Sequence, residues 1–341
     1  MKTQSPPPIP APIPAPIPAP IPAPIPVVVI GGPTASGKSA LALALAEVAA
    51  GTVINADSMQ VYADLRVVTA RPSAAEEVLA PHRLYGIAPL SERMNAARWR
   101  DLALAEIRRS HGEGRLPIVV GGTGLYLRTL MHGIVEMPEI PAAIRADALD
   151  RQVRMGTPAL YADLAGLDPE TAARLNPGDT TRVVRAWEVV TATGRGITDW
   201  QRQGRHDAPA DLEFLPWVVE PPRDRLYARC DARFLTMLDE GALGEVAALA
   251  ARGLNPDLPA MKALGVPELL AHLRGEIDRE AAVARAQQAT RNYAKRQLTW
   301  FRNQLAAAPR IDPAVLSDRI ATMKFCDSMT VQIDKKISKS G

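Results

Sequence analysis

The sequence predicts an α/β fold with a P-loop NTPase-like parallel sheet core, a helical insertion domain and C-terminal helices. Apolar runs rich in β-branched residues, at residues 27–30, 52–56 and 116–120, each end in a turn, and helical patterns lie between them. Such alternation of strands and helices is typical of a parallel sheet. The strand signal is then missing from about residue 138 to residue 204, where arginine-rich helical segments predict an insertion.

Length and composition leave room for two domains with a substantial core, since 47% of the 341 residues are apolar. The net charge of +3 and the isoelectric point of about 8.9, with local basic clusters, keep nucleic acid open as a partner. Cys230 and Cys326 lie far apart, and the histidines form no metal-ligand pattern. We therefore expect a cytoplasmic protein without disulfides or zinc, and no membrane span, since no apolar run is long enough.

Both ends of the chain are predicted to be tails. Residues 1–26 carry an A-P-I-P repeat, and proline fixes φ and removes backbone donors, which favours a disordered polyproline II spacer. A recruitment motif for a proline-binding partner is the alternative. Residues 309–341 lose the helical pattern after Arg310 and are expected to be flexible.

The first strand leads into a glycine-rich turn and an alanine- and leucine-rich helix. The turn has the pattern G-x-x-x-x-G-K-S, whose backbone N–H groups and lysine hold phosphates while the final hydroxyl ligates Mg²⁺. We therefore expect a diphosphate or triphosphate site formed by Gly32, Pro33, Thr34, Ala35, Ser36, Gly37, Lys38 and Ser39, with Ser39 as the metal ligand.

The remaining elements of the predicted core, residues 27–137, follow in order. A strand at 52–57 ends in Asp57, a further strand is expected at 65–69, and a helix at about 95–111 precedes the strand at 116–120 and its glycine turn around Thr123. Carboxyl ends of parallel strands meet at one edge of the sheet. We therefore expect Lys38, Asp57 and Thr123 to lie together.

The second half of the chain alternates between helices and one more strand. The insertion, residues 138–212, is broken at Gly156, Asp168 and Asn176, each followed by proline within two residues. A strand at 214–220 returns to the sheet, and helices complete the core and form the C-terminal basic helices within residues 213–308.

Six motifs, in order and spacing, resemble those of the bacterial tRNA dimethylallyltransferases, the tRNA isopentenyltransferase family. They lie at residues 32–39, 57–60, 69–72, 121–126, 260–265 and 290–302, and the similarity covers roughly residues 27–308. The resemblance implies Mg²⁺-dependent transfer of the dimethylallyl group from dimethylallyl diphosphate to the exocyclic amine of the adenosine 3′-adjacent to the anticodon of tRNA, releasing diphosphate. It also implies the P-loop core with a helical insertion, and we expect a monomer.

The resemblance assigns roles to single residues. Asp57 matches the residue that accepts the amine proton, Thr123 the threonine where tRNA meets the active site, and Lys38 belongs to the diphosphate loop. Contacts to tRNA are implied for Asp57, Ser58, Met59 and Gln60, and on the insertion for Arg145, Thr181, Arg182, Val183, Val184 and Arg185. Thr181 stands where most members carry glutamine, and Val266 where they carry an aromatic residue.

Further candidates come from the residues themselves. Arg291, Lys295 and Arg302 share one face of a C-terminal helix, and Tyr293 and Trp300 lie on the opposite face, where they are expected to pack on the protein. Such a helix suits an RNA backbone, with a merely solvated basic face as the alternative. Near the start of the helix after the last strand, Arg223 and Arg225 are candidates for diphosphate binding.

Three other functions remain open from the residues alone. A P-loop small-molecule kinase would need an acid after the strand at 116–120, where glycines stand instead. An adenylate isopentenyltransferase would use the same donor with a free nucleotide, whereas the acid-free basic helix favours a polynucleotide. A GTPase-like RNA-binding module would need an N-K-x-D motif, which the sequence lacks. In each case Asp57 could instead cap a helix or support Mg²⁺.

Overall fold

The computed structural model describes residues 23–135, 137–203, 207–316 and 319–340. Its sheet has six parallel strands in the order β3-β2-β4-β1-β5-β6. The strands are β1 (Ile25–Gly31), β2 (Gly51–Asn55), β3 (His82–Arg83), β4 (Leu116–Gly121), β5 (Leu212–Val219) and β6 (Arg310–Ile311). The parallel α/β core predicted from the alternating pattern is confirmed.

Helices cover both faces of the sheet. They are α1 (Lys38–Val48), α2 (Ala74–Leu79), α3 (Ala96–Gly112), α4 (Gly124–His132), α5 (Ala142–Leu167), α6 (Pro169–Ala173), α7 (Thr180–Thr193), α8 (Ile197–Gln203), α9 (Arg223–Asp239), α10 (Ala242–Ala250), α11 (Val266–Leu273), α12 (Arg279–Gln304) and α13 (Arg319–Ser340). Alternate residues of β1 enter two apolar layers: Val27 and Val29 face the side of α3, α4, α9 and α12, and Val28 and Ile30 that of α1 and α13. A strand buried on both faces explains the unbroken apolar run.

The boundary of the N-terminal tail is wrong by two residues. Ile25 and Pro26 already belong to β1, where Pro26 is opposite Glu213 of β5. Pairing of β1 with β4 begins only at Val28, so the proline without an N–H stands where the strand has one partner. Residues 1–22, with most of the proline repeat, lie outside the described residues.

The strand predicted at residues 65–69 is absent, and the segment forms a series of turns. The carboxylate of Glu245 accepts hydrogen bonds from the backbone N–H groups of Arg66, Val67 and Val68, at 2.6, 2.9 and 2.8 Å. These donors would otherwise form the ladder of a strand. A side chain almost 180 residues away in the sequence therefore satisfies this loop, which local propensity cannot reveal.

The predicted insertion is helical, and α5 to α8 form it. They enclose their own apolar cluster, which includes Leu160, Val183 and Trp187. The break expected at residue 156 is a kink within α5, where Gly156 has φ of 79° and Pro158 follows. The breaks at Asp168 and Asn176 separate α5, α6 and α7.

The flexible tail expected at residues 309–341 is contradicted by β6 and α13. Cys326, Met329 and Ile333 lie on one face of α13 and are buried in the same apolar layer as Leu41 and Leu45 of α1. Their spacing of three and four residues is helical. The polar residues between them hide this pattern in the sequence. The segment is ordered as a helix because α1 offers an apolar surface on which it can pack.

Candidate active site at the carboxyl ends of the strands

The phosphate loop joins β1 to α1 in the expected way. Gly37 caps the helix with φ of 97°, a left-handed conformation that favours glycine, and α1 begins at Lys38. The first N–H groups of a helix have no intrahelical acceptor, so the loop and the start of α1 present donors to an anion. The ammonium of Lys38 donates to the carbonyl of Pro33, at 3.1 Å.

Gln297 of α12 ties the phosphate loop to the second glycine turn. Its Oε1 accepts from the Thr34 N–H at 2.8 Å, and its Nε2 donates to the Gly122 carbonyl at 2.8 Å. The side chain is 5% exposed; its bond to the Gly122 carbonyl is buried, and its bond to the Thr34 N–H is half-buried. The Thr34 amide is therefore occupied by protein, and phosphate must be held by the later amides of the loop.

Two arginines of α9 approach the loop, but they are not the two expected. Arg233 donates to the Thr34 hydroxyl at 3.4 Å, and the guanidinium of Arg229 lies beside Gly37. Arg223 and Arg225 are exposed at the start of α9, with Arg223 over the ring of Tyr227. Because α9 rises from the end of β5 across the loop, its second and third turns face the phosphate site, and its first turn does not.

Asp57 is held in a tight turn after β2. The side chain of Asn55 accepts from the Asp57 N–H at 2.8 Å and donates to the Asp57 carbonyl at 3.0 Å. The Met59 N–H donates to Oδ1 of Asp57 at 2.9 Å. Among the described residues, no group hydrogen-bonds to Oδ2. One carboxylate oxygen thus fixes the turn, and the other can accept a proton.

Thr123 contacts the Asp57 turn from the end of β4. Its hydroxyl accepts from the Ser58 N–H at 3.0 Å, and the Thr123 N–H donates to the carbonyl of Ala56 at 3.2 Å. The expected meeting of the phosphate loop, Asp57 and Thr123 is therefore found. Gln60 donates to the carbonyls of Thr69 and Ala70, at 2.9 and 2.8 Å, so its amide nitrogen holds the neighbouring loop.

Some of these groups line a cavity of about 260 Å³. Its polar lining includes Thr34, Asp57, Ser58, Arg233 and Tyr293, and its apolar lining consists of Met59, Val68, Cys230, Phe234, Met237, Ala263 and Leu264. A larger cavity, about 580 Å³, lies between β5 and α13 and contains none of the phosphate-loop residues.

The electrostatics at the loop favour an anion. Burial lowers the pKa of Lys38 to about 8; Asp57 opposes this shift, and the positive charge of Arg233 adds to it. Burial also lowers the pKa of Arg233, with Asp57 opposing, although a guanidinium stays protonated in proteins. Two crowded cations with one carboxylate nearby leave a net positive charge that a diphosphate would neutralise.

The candidate tRNA contacts on the insertion divide by burial. Val183 and Val184 are 0% and 8% exposed, so their side chains form the core of the insertion, and the expectation that they contact tRNA is corrected on this point. Thr181 and Arg182 are exposed, with Arg182 beside Asp179 at 3.3 Å. Arg185 and Arg145 share the carboxylate of Glu188, at 3.1 and 3.9 Å.

The basic face of α12 is partly neutralised. Arg291 pairs with Asp231 at 2.5 Å and Arg302 with Glu220 at 2.7 Å, whereas Lys295 is exposed. Trp300 packs on the protein as expected, against Gly124. Tyr293 lines the cavity in addition to packing on the protein, and the guanidinium of Arg296 lies over its ring, 5.6 Å from the ring centre.

Sequence reasoning gave no role in the site to five residues: Arg229, Arg233, Tyr293, Arg296 and Gln297. Three of them belong to the motif at residues 290–302, so the motif pointed to the right segment. Its helical periodicity could not say which side of α12 faces the cavity. Arg233 carried no signal beyond its membership of an arginine-rich helix.

No described helix has the length and hydropathy needed to cross a membrane. In the same part of the chain there is no cluster of three or more histidine, cysteine or acidic side chains that could hold a metal ion. Cys230 and Cys326 are both free and buried.

Residues 60–304 match the family model described as IPP transferase. The chain is 66% identical over 307 residues to a tRNA dimethylallyltransferase of Rhodospirillum centenum, covering 90% of this chain and 98% of the relative. It is 54% identical to that of Phenylobacterium zucineum, over 83% and 91% of the two chains.

Solved structures agree with this similarity. The tRNA isopentenylpyrophosphate transferase of Bacillus halodurans superposes with a TM-score of 0.65 and 34% identity, over 92% of this chain and 98% of the other. A eukaryotic dimethylallyltransferase acting on tRNA gives a TM-score of 0.73 and 29% identity, over 86% and 75%. The phosphate loop, the Asp57 turn and the extent of these matches lead to one conclusion: this chain belongs to the tRNA dimethylallyltransferase family, the IPP transferases.

Proposed function

We propose that this protein transfers the dimethylallyl group from dimethylallyl diphosphate to the exocyclic amine of the adenosine 3′-adjacent to the anticodon of tRNA. The observation that carries the proposal is one cavity lined by Thr34 of the phosphate loop, by Arg233 and by the carboxylate of Asp57, with Lys38 close enough for its charge to interact with Asp57. Membership of the family supports both the donor and the acceptor.

The cradle fits the leaving group. An allylic diphosphate loses its C–O bond readily once the charge on the departing oxygen is neutralised, and the C5 cation that develops is stabilised by its double bond. The amides at the start of α1, Lys38 and Arg233 would hold the diphosphate and stabilise its growing charge. The apolar wall formed by Val68, Phe234 and Leu264 would exclude water from the allylic carbon.

Asp57 fits the acceptor. The adenine amine is a weak nucleophile because its lone pair is delocalised into the ring, so it attacks only an activated carbon. As the new C–N bond forms, the nitrogen becomes acidic and must lose a proton. Oδ2 of Asp57, which no described residue hydrogen-bonds, would accept it. A target base must leave its stack to reach this depth, as in other enzymes that act on bases.

A Mg²⁺ ion fits this donor set if the substrate brings most of its ligands. Ser39 opens α1 beside the loop, and the buried hydroxyl of Ser36 has no hydrogen-bond partner among the described residues. Mg²⁺ commonly takes few protein oxygens and completes its shell with phosphates and water. Ser39 would hold the ion, and the ion would supply charge neutralisation of the diphosphate.

The competing functions explain the site less well. In a kinase the acid that organises the metal follows the strand beside the phosphate loop, but β4 ends at Gly121 and is followed by Gly122. A free adenylate acceptor would need no exposed basic insertion. Arg145 and Arg182 of the insertion and Lys295 of α12 are solvent-exposed, and they suit the phosphates of an anticodon arm. The proposal includes action as a monomer in the cytoplasm.

The deciding experiment offers two acceptors. Purified protein is incubated with Mg²⁺ and radiolabelled dimethylallyl diphosphate, with either unmodified tRNA or AMP. We expect label in tRNA alone, at one adenosine, whereas label in AMP would favour the adenylate enzyme. Transfer of phosphate from ATP to a small molecule, with no label in either acceptor, would favour the kinase.

A further inference from the structure

Helix α9 runs along the cavity from the phosphate loop to an apolar end. Cys230, Arg233, Phe234 and Met237 all line the cavity, and their spacing of three and four residues places them on one face of the helix. Arg233 donates to the Thr34 hydroxyl of the phosphate loop at 3.4 Å. A helix rises about 1.5 Å per residue, so Met237 lies about 6 Å beyond Arg233 along the axis.

The ring of Phe234 closes the apolar end. Phe234 and Val68 line the cavity but are only 3% and 4% exposed. Behind the ring lies the backbone of Gly265, where an added Cβ would be 2.7 Å from Cε2 of Phe234 and 3.5 Å from Cγ2 of Val68. The space behind the ring is therefore too small for a methyl group, and the ring cannot move back to enlarge the cavity.

The backbone on both sides of this contact is fixed. The Val68 N–H donates to the carboxylate of Glu245 at 2.8 Å. Gly265 caps α11 in the left-handed conformation, with φ of 88°, which glycine adopts without steric cost. Because closely packed groups transmit strain and do not yield, a ligand that reaches Phe234 meets a rigid wall.

A prenyl diphosphate has its charge at one end and its apolar group at the other. With the diphosphate at the phosphate loop, the C5 group would extend along α9 towards Phe234. A second isoprene unit would lengthen the donor by about 5 Å, close to one helical turn, and would meet the ring. Building on the proposed function, we infer that Phe234, backed by Gly265, is the specificity-determining residue that limits the donor to one isoprene unit.

The inference is tested by comparing dimethylallyl diphosphate with geranyl diphosphate, which has two isoprene units. Geranyl diphosphate can undergo the same reaction: its C1–O bond breaks, a C1–N bond to the adenine amine forms, and diphosphate and the amine proton leave. With unmodified tRNA and Mg²⁺, we expect the native enzyme to prefer dimethylallyl diphosphate about 10- to 100-fold in kcat/KM, because extra carbons forced into a packed site are costly.

Two variants shorten the side chain that forms the wall. Phe234→Ala removes the whole ring and leaves an apolar cavity in which an apolar group can bind, so the preference should fall at least about 10-fold. Phe234→Leu keeps more of the packing and should shift the preference in the same direction by a smaller factor; it decides the matter if Phe234→Ala does not fold. Phe214→Leu is the matched control, since Phe214 is a half-buried residue of the larger cavity beside β5, and its preference should equal that of the native enzyme.

Other results would overturn the inference. They are a native preference retained in the Phe234 variants, an equal fall in Phe214→Leu, or a raised KM for tRNA with no change in donor preference, which would place the base against this wall. Equal use of both donors by the native enzyme overturns it as well, while leaving the proposed transfer intact. Failure of the native enzyme to transfer the dimethylallyl group to tRNA would instead refute the proposed function.

Discussion

Replacing Gln297 by alanine tests how the two glycine turns are held together. The side chain is the one bridge seen between the Thr34 amide and the Gly122 carbonyl in the described structure, with both hydrogen bonds at 2.8 Å. Alanine removes the donor and the acceptor together and leaves the buried Gly122 carbonyl and the half-buried Thr34 N–H without these partners. We expect the phosphate loop to lose both stability and position.

The size of the effect follows from those two groups. A buried polar group left unsatisfied costs about 1–3 kcal/mol, so the Gly122 carbonyl alone costs that much, and the half-buried Thr34 N–H adds a smaller amount. In a domain of this size 1 kcal/mol changes the melting temperature by about 2–4 °C, which predicts a decrease of at least about 2 °C. The catalytic rate should decrease as well, because a displacement of about 1 Å in a catalytic group can lower the rate on the order of 100-fold.

The assay combines thermal unfolding with steady-state transfer. Gln288→Ala is the control, because Gln288 is an exposed glutamine of the same helix whose amide donates to Asn292. It should change neither the melting temperature nor turnover appreciably. Gln297→Glu keeps an acceptor for Thr34 but cannot donate to Gly122, and it adds negative charge near the diphosphate. We expect it to bind the donor more weakly than Gln297→Ala does.

One outcome would refute this reasoning. If Gln297→Ala melts within about 1 °C of the native protein and turns over within about threefold of it, the bridge does not fix the loop. A water molecule or a shift of α12 would then have to satisfy both backbone groups.

Four other predictions concern the cradle, the base and the N-terminal segment. Lys38→Ala should lower turnover by about 10²–10³. In the native enzyme the KM for dimethylallyl diphosphate should rise as the pH rises through about 8, because the diphosphate binds best when Lys38 is protonated. A KM that does not change with pH, or turnover of Lys38→Ala within about threefold of native, would contradict the role of Lys38 in binding diphosphate. Arg233→Ala should weaken donor binding while Arg223→Ala should not, and equal effects in binding titrations would reject the placement. Asp57→Ala should lower kcat by about 10²–10⁴ with donor affinity retained, whereas recovery at high Mg²⁺ would show metal support instead. Deleting residues 1–24, which precede β1, should leave kcat, tRNA affinity and melting temperature unchanged, and a clear loss of any of them would disprove the spacer interpretation.

Features with a local cause could be predicted from the sequence. The phosphate loop requires glycine at Gly37, where φ is 97°, and β-branched residues before it, so a short segment specifies its own geometry. The breaks in the insertion have the same origin, since glycine and proline act on the backbone where they stand. Asp57 and Thr123 could be placed together because the ends of parallel strands meet at one edge of the sheet.

Features that depend on a distant partner could not be predicted. Glu245 converts an apolar segment into turns by binding three of its N–H groups, and α13 is buried because α1 offers it an apolar face. Periodicity gives the faces of a helix but not its rotation against the sheet.

The sequence alone therefore determined the class of fold, the phosphate loop and the family, because each rests on short segments whose conformation and chemistry are local. Tertiary structure alone decided that Arg233 rather than Arg223 reaches the loop, that Gln297 joins the two glycine turns, and that Tyr293 lines the cavity. Those choices depend on how α9 and α12 pack across the sheet, and packing is set by the shapes of side chains that lie far apart in the chain.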